Sequence, residues 1–70
     1  SFADDWDNAD GATKIITHSL SSFDVVVQIY DVADGTTIEI DRVERSDANN
    51  LSLVASEAPA TTWRVMVIKI

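Results

Sequence analysis

The stretch that decides the fold is His18-Ser-Leu-Ser-Ser-Phe-Asp-Val-Val-Val-Gln-Ile-Tyr-Asp31. Its serines are typical of a polar turn, and the β-branched residues that follow are typical of a strand. Side chains alternate along a strand, so the apolar residues at odd positions share one face while Val26 and Tyr30 share the other. Both faces are largely apolar. A strand at the surface of a small protein normally has one polar face in contact with water. Because this strand has none, other parts of an assembly should cover its second face.

From residue 13 onward the chain consists of short β-branched runs separated by turn signals. The Asp34-Gly35 pair predicts a hairpin turn, and the Asp47-Ala-Asn-Asn50 run predicts a second turn. The pattern predicts an all-β fold, a small antiparallel β-sandwich or open barrel of about six strands. We expect the second and last strands to be neighbours, because both have two apolar faces. The predicted strands are Thr13–Thr17, Asp24–Asp31, Thr36–Ile40, Arg42–Arg45 (continuing the third past a bend), Leu51–Ala55 and Thr62–Ile70.

Residues 1–12 differ in composition from the β domain at 13–70. They contain four Asp, one Asn and one Gly, which is typical of a loop or arm rather than a regular element. We therefore predict an acidic N-terminal arm, docked by the rings of Phe2 and Trp6. Because the chain starts at Ser1 without a methionine, we expect it to be a processed protein or a fragment.

Composition limits the classes of function. The formal net charge of −7 over 70 residues repels phosphate backbones and argues against nucleic-acid binding. No apolar run is long enough for a membrane-spanning helix, so no membrane partner is predicted. The chain has no cysteine and one histidine, which excludes disulfides and cysteine-ligated metals. A 70-residue domain without such links is marginally stable alone, so the expected support is oligomerisation or membership of a longer polypeptide.

No constellation of residues indicates catalysis, so we predict no enzyme, no cofactor and no metal. The Asp residues of the arm suggest calcium, but an EF-hand loop placed on Gly11 puts Trp6 and Thr17 at ligand positions, which does not fit. His18 lies near serines that lack the glycines of a nucleophile elbow. A turn histidine bonded to backbone is the better interpretation of this residue.

The aromatic residues allow one binding hypothesis. Tyr30 and Trp63 are expected in the core or in a subunit interface. Phe23, at a turn-to-strand junction, and Trp6, in the arm, are candidate contacts for sugar rings, which stack on aromatic faces.

Three segments resemble a pattern found in bacteriophage tail-fibre and other virion appendage proteins. The first is Thr17-His-Ser-Leu-Ser-Ser-Phe-Asp-Val-Val-Val-Gln-Ile-Tyr-Asp31, similar to a Thr-His-Asn-Leu-Gly-Ser turn followed by Asp-Val and alternating Val. The second is the Ser46-Asp-Ala-Asn49 turn before alternating Leu, and the third is Pro59 followed by Trp63-Arg-Val-Met-Val-Ile68. Ser19 and Ser21 depart from the pattern, which has Asn and Gly there.

The resemblance implies a small C-terminal β-sandwich of a trimeric virion protein, without catalysis. We therefore predict a structural module of a phage fibre, spike or capsid surface, located in the virion, that forms a homotrimer or attaches to other virion proteins. The alternative is a host-attachment module that binds surface polysaccharide. The predicted subunit interface consists of Val26, Tyr30, Trp63, Met66, Ile68 and Ile70.

Overall fold

The computed structural model describes residues 1–70 and contains two three-stranded antiparallel sheets with a shared core. The first sheet has the order β1-β6-β3 and the second has the order β2-β5-β4. The prediction of a small all-β sandwich is confirmed. A short 3-10 turn (Asn8–Asp10) is the one helical element, and no helix is long and apolar enough to cross a membrane. The strands are β1 (Phe2–Trp6), β2 (Thr13–Thr17), β3 (Val25–Asp31), β4 (Arg42–Asp47), β5 (Asn50–Val54) and β6 (Trp63–Lys69).

The pairing of β3 with β6 is confirmed. The two strands run antiparallel over seven residue pairs, from Val25 opposite Lys69 to Asp31 opposite Trp63. β6 is the central strand of the first sheet, with β1 on its other side. Side chains of β6 alternate between the two faces of the sheet, since Val65 and Val67 are fully buried while Met66 between them is exposed.

The core lies between the two sheets and is supplied by alternate residues of five strands and the segment after β5. This arrangement follows from the two-residue period of a strand, which turns every second side chain towards the facing sheet. The nine buried core residues are Trp6, Ile16, Val25, Ile29, Leu51, Leu53, Ala55, Val65 and Val67.

The interpretation of residues 1–12 as an irregular arm is wrong for its first half. Phe2–Trp6 forms β1, paired with β6 from Phe2 opposite Val67 to Trp6 opposite Trp63. The two aromatics lie on the inward face, and the Asp4 between them forms an ion pair with Lys14 at 3.7 Å. An edge strand tolerates the charges that a central strand would not. The segment is a strand despite its acidic composition, because the rings of Phe2 and Trp6 pack against the core.

The predicted strand Thr36–Ile40 is also wrong. The chain turns at Gly35, which has the positive φ (+77°) expected of it, and then makes one bridge, from Thr37 to Tyr30. Beyond it the segment leaves the first sheet, and the N–H of Asp41 donates to the carbonyl of Val54 in the second. The physical reason is that β4 belongs to the other sheet, so this segment must cross between layers.

Two residues of the turn before β3 adopt a left-handed backbone conformation although neither is glycine. Ser19 has φ +57° and Ser21 has φ +53°, in the region that costs most residues about 1–2 kcal/mol. The side chain of Asn49 supports the turn, since its Oδ1 accepts from the Ser21 N–H at 2.8 Å. Ser19 and Ser21 are the two departures from the virion-protein pattern, which has Asn and Gly there.

We therefore expect Ser19→Gly to stabilise the domain by about 0.5–1 kcal/mol, because glycine adopts this backbone without a steric penalty. In a domain of this size the midpoint of thermal unfolding should rise by a few degrees, roughly 4–8 °C per kcal/mol. Thermal unfolding followed by circular dichroism measures the change. Ser56→Gly, at a loop position without positive φ, is the control and should be neutral or destabilising. An unchanged or lower midpoint for Ser19→Gly would contradict the strain argument.

Candidate interaction surface

The outer face of the first sheet is an apolar surface that strand alternation leaves uncovered. In the β3–β6 register, Val26 lies opposite Ile68 and Gln28 lies opposite Met66. Ala3 of β1 is the other neighbour of Met66. These side chains point away from the core because their neighbours in sequence point into it. We call this surface the outer patch, formed by Ala3, Val26, Met66, Ile68 and the terminal Ile70.

The outer patch is exposed despite its apolar composition. Val26 and Ile68 are 48% and 45% exposed, Met66 is 37% exposed and Ile70 is 83% exposed. Single exposed apolar residues are ordinary, but neighbouring ones on one face are typical of a surface that meets a partner.

The patch ends at a polar row. Tyr30 and Asp5 flank Arg64 on the same outer face, and the Arg64 Nε donates to the Asp5 Oδ1 at 2.6 Å. This hydrogen bond and the carboxylate charge raise the pKa of Arg64 above its ordinary value. A fixed ion pair beside apolar residues resembles the polar rim that borders interface cores.

The structure brings together most of the predicted interface, but it separates Trp63. Val26, Tyr30, Met66 and Ile68 share the outer face, and Ile70 follows directly after β6. Trp63 lies on the inward face, where its ring meets that of Trp6 edge to face with centroids 5.2 Å apart. It belongs to the margin of the core, because odd positions of β6 face inward.

The two candidate sugar contacts also separate. Trp6 has no exposed surface and its Nε1 donates to the carbonyl of Gly11 at 2.8 Å. A fully buried ring offers no face for stacking, so Trp6 is removed as a candidate. Phe23 is 54% exposed, in the turn before β3, and keeps an available ring.

The acidic residues near the N-terminus are engaged in local structure. The Asp7 side chain caps the 3-10 turn by accepting from the Ala9 N–H. Asp10 accepts from the Asp7 N–H and pairs with Lys14 at 3.3 Å. These contacts, the backbone hydrogen bond first, lower the pKa of Asp10. Together with the Asp4–Lys14 pair they fasten β1 to β2 across the two sheets.

His18 is a turn histidine bonded to backbone, as predicted. It is buried, its Nδ1 accepts from the Leu20 N–H at 3.1 Å, and its backbone N–H donates to the carbonyl of Asn49. Nε2 has no partner. Nearby, the Asn49 N–H donates to the Asp47 carboxylate and holds the pKa of Asp47 below its usual range. The histidine therefore fixes the 18–23 turn against the β4–β5 turn.

Arg45 is a structural residue that the sequence reasoning missed. It lies on β4 in the second sheet, yet its Nε donates to the carbonyl of Phe23 at 2.9 Å and its Nη2 donates to that of Val25 at 2.7 Å. One guanidinium therefore ties the edge of the second sheet to the edge of the first. The alternation of charged and apolar residues at 42–45 indicates a strand, but it carries no information about hydrogen bonds from Arg45 to the other sheet.

We expect Arg45→Ala to lower the free energy of unfolding by about 1–3 kcal/mol, because two carbonyls lose a charged donor. Arg42→Ala is the matched control. Arg42 is exposed and pairs only with Glu44 at 3.3 Å, and such surface pairs contribute about 0–1 kcal/mol. Urea unfolding of both variants makes the comparison. Equal losses would show that Arg45 does not hold the sheets together.

The chain was also compared with known proteins. No protein-family model, no curated protein and no solved structure matches it. The resemblance to virion appendage proteins therefore stays a prediction from three sequence segments.

Proposed function

We propose that this chain is a structural module of a bacteriophage virion, part of a fibre, spike or capsid-surface protein. It forms a homotrimer, or attaches to neighbouring virion proteins, through the outer patch. It catalyses no reaction and needs no cofactor. The observation that carries the proposal is the row of neighbouring exposed apolar residues on the first sheet, Val26, Met66 and Ile68.

The energetics of such an assembly are reasonable for so small a domain. A standard interface removes about 800 Å² per partner from water, which is about a fifth of the 4123 Å² accessible surface. Buried apolar surface contributes on the order of 25 cal/mol per Å². A domain with nine core residues gains from this burial, because a short chain covers little of its own apolar surface. The number of subunits, three, rests on the resemblance.

The experiment that tests the proposal is absolute mass by light scattering coupled to size exclusion on residues 1–70. A trimer is expected. A monomer at all accessible concentrations would overturn self-association and leave attachment to a different virion protein. A stable dimer would contradict the proposed trimer. It would also contradict the resemblance to virion appendage proteins, from which the number three is taken.

The exposed ring of Phe23 favours a second function, host attachment through a surface polysaccharide. Asp24 follows Phe23 in sequence and brings a carboxylate that can accept from sugar hydroxyls, and sugar rings stack on aromatic faces. Binding on a glycan array that Phe23→Ala abolishes, with the subunit number unchanged, would support this function. The variant keeps the Phe23 carbonyl that Arg45 uses. Absence of binding to every glycan on the array would count against it.

A further inference from the structure

The β3 strand has a free edge, because β6 pairs with it on one side only. The Ile29 carbonyl accepts from the Ile38 N–H at 2.8 Å, and the Asp31 N–H donates to the Thr36 carbonyl at 2.8 Å. The backbone groups of odd residues therefore point away from β6. The register is uninterrupted, so the N–H and carbonyl of Val27 and the N–H of Ile29 point to the same edge. No protein group pairs with them.

On both sides of this free stretch, the backbone groups at the edge of β3 already have hydrogen-bond partners. At one end the Arg45 guanidinium donates to the carbonyl of Val25. At the other the Thr36–Ile38 segment bonds to Asp31 and Ile29. Between them lies one residue with both backbone groups free and one further free donor. Unpaired strand edges of this kind are templates for pairing with another chain.

An apolar cleft lies beside the free stretch. It has a volume of about 280 Å³, below the roughly 300–1,000 Å³ of typical small-molecule pockets. The cleft is therefore suited to a few side chains. It lies where the crossing segment 36–41 diverges from β3 towards the second sheet, and its apolar lining consists of Val27, Ile29, Ile38, Ile40 and Val43.

The charge around the cleft selects the partner. Residues 24–45, which include both walls, carry six acidic and two basic side chains, a formal charge of −4. Glu39 lines the cleft itself. Both arginines are engaged, Arg42 with Glu44 and Arg45 with backbone carbonyls. A segment with basic residues on either side of its apolar ones would complement this field, which also speeds encounter.

We propose that the free edge of β3 accepts an extended segment of another protein as an added strand, with apolar side chains in the cleft and basic residues flanking them. Pairing with Val27 supplies the main-chain hydrogen bonds, and the cleft selects the side chains, as in other cases of strand addition. This surface is distinct from the outer patch, since it uses the edge and inner margin of β3 rather than its outer face.

The test is a titration of the isotope-labelled chain, residues 1–70, with the capped peptide Lys-Val-Thr-Val-Thr-Val-Lys, followed by amide nuclear magnetic resonance. We expect saturable shifts at the amides of Val27 and Ile29 below about 1 mM peptide, because the free edge is short and the affinity modest. A peptide with proline at its centre lacks a donor and should lose the binding. A peptide with Glu in place of Lys should bind at least tenfold more weakly.

Two exposed apolar residues provide matched variants. Val43→Lys places a cation in the cleft from β4 and should weaken binding of the basic peptide at least tenfold. Ile15→Lys places the same charge on the outer face of the second sheet, away from both the cleft and the outer patch, and should change the affinity less than about twofold. Val27→Pro removes the free N–H without breaking a hydrogen bond inside the domain. It should abolish the peptide-induced shift at the remaining reporter, the Ile29 amide.

Several results would overturn the proposal. One is the absence of shifts at Val27 and Ile29 up to 1 mM peptide. Another is equal binding of the proline peptide, which would mean that the cleft takes apolar groups without strand pairing. A third is concentration-dependent shifts at these amides without peptide, which would make a second copy the occupant. Failure here leaves the proposed role of the outer patch untouched, because that role is tested separately by the absolute mass of the assembly.

Discussion

Ile68→Asp should convert the proposed trimer into folded monomers. Ile68 is exposed at the centre of the outer patch beside Val26, and an unpaired carboxylate buried between subunits costs several kcal/mol. Because the side chain points away from the core, the fold of the subunit should survive. Light scattering measures the mass, and circular dichroism confirms the fold. Met66→Asp should have the same effect.

The control for this experiment is Ile15→Asp. Ile15 is 60% exposed on the outer face of the second sheet, so it receives the same change of charge and volume away from the outer patch. We expect this variant to keep the wild-type mass. An intact trimer with Ile68→Asp, or dissociation by both variants alike, would show that the outer patch is not the interface.

The second large effect is on stability. Trp6→Ala should destabilise the domain by about 3–5 kcal/mol, the usual cost of truncating a buried aromatic. The Trp6 ring is fully buried, meets Trp63 edge to face and donates a hydrogen bond to Gly11. A domain of this length has roughly 4–10 kcal/mol of total stability, so the variant should be largely unfolded on warming. Urea unfolding at 25 °C measures the loss.

Trp63→Ala is the comparison for Trp6→Ala. Trp63 is only partly buried at the margin of the core, so its truncation should cost clearly less. Both variants lose the aromatic pair, so the difference between them reports the deeper burial of Trp6 together with its hydrogen bond to Gly11. A small loss with Trp6→Ala would mean that β1 is not an integral strand and that residues 1–12 behave as the predicted arm.

The outer patch itself could be predicted from the sequence to a large extent. Val26, Met66 and Ile68 belong to the predicted interface, and alternation within β3 and β6, which is a local property, places them on the outer face. Trp63 is the exception, because its odd position in β6 places it at the margin of the core, the other location predicted for it. The cleft beside β3 could not be predicted, since it exists only where segment 36–41 departs from the first sheet.

The sequence by itself determined five of the six strands, the turns between them and the pairing of β3 with β6. These follow from the two-residue period of apolar side chains and from Asp-Gly and Asp-Ala-Asn turn chemistry, which act over a few residues. Only the tertiary structure decided that Phe2–Trp6 is a strand and that Thr36–Ile40 is not. An Asp-rich segment becomes an edge strand because Lys14 and Trp63, distant in sequence, lie where its side chains need partners. Such partners come from the packing of two sheets and leave no periodic signal in the segment.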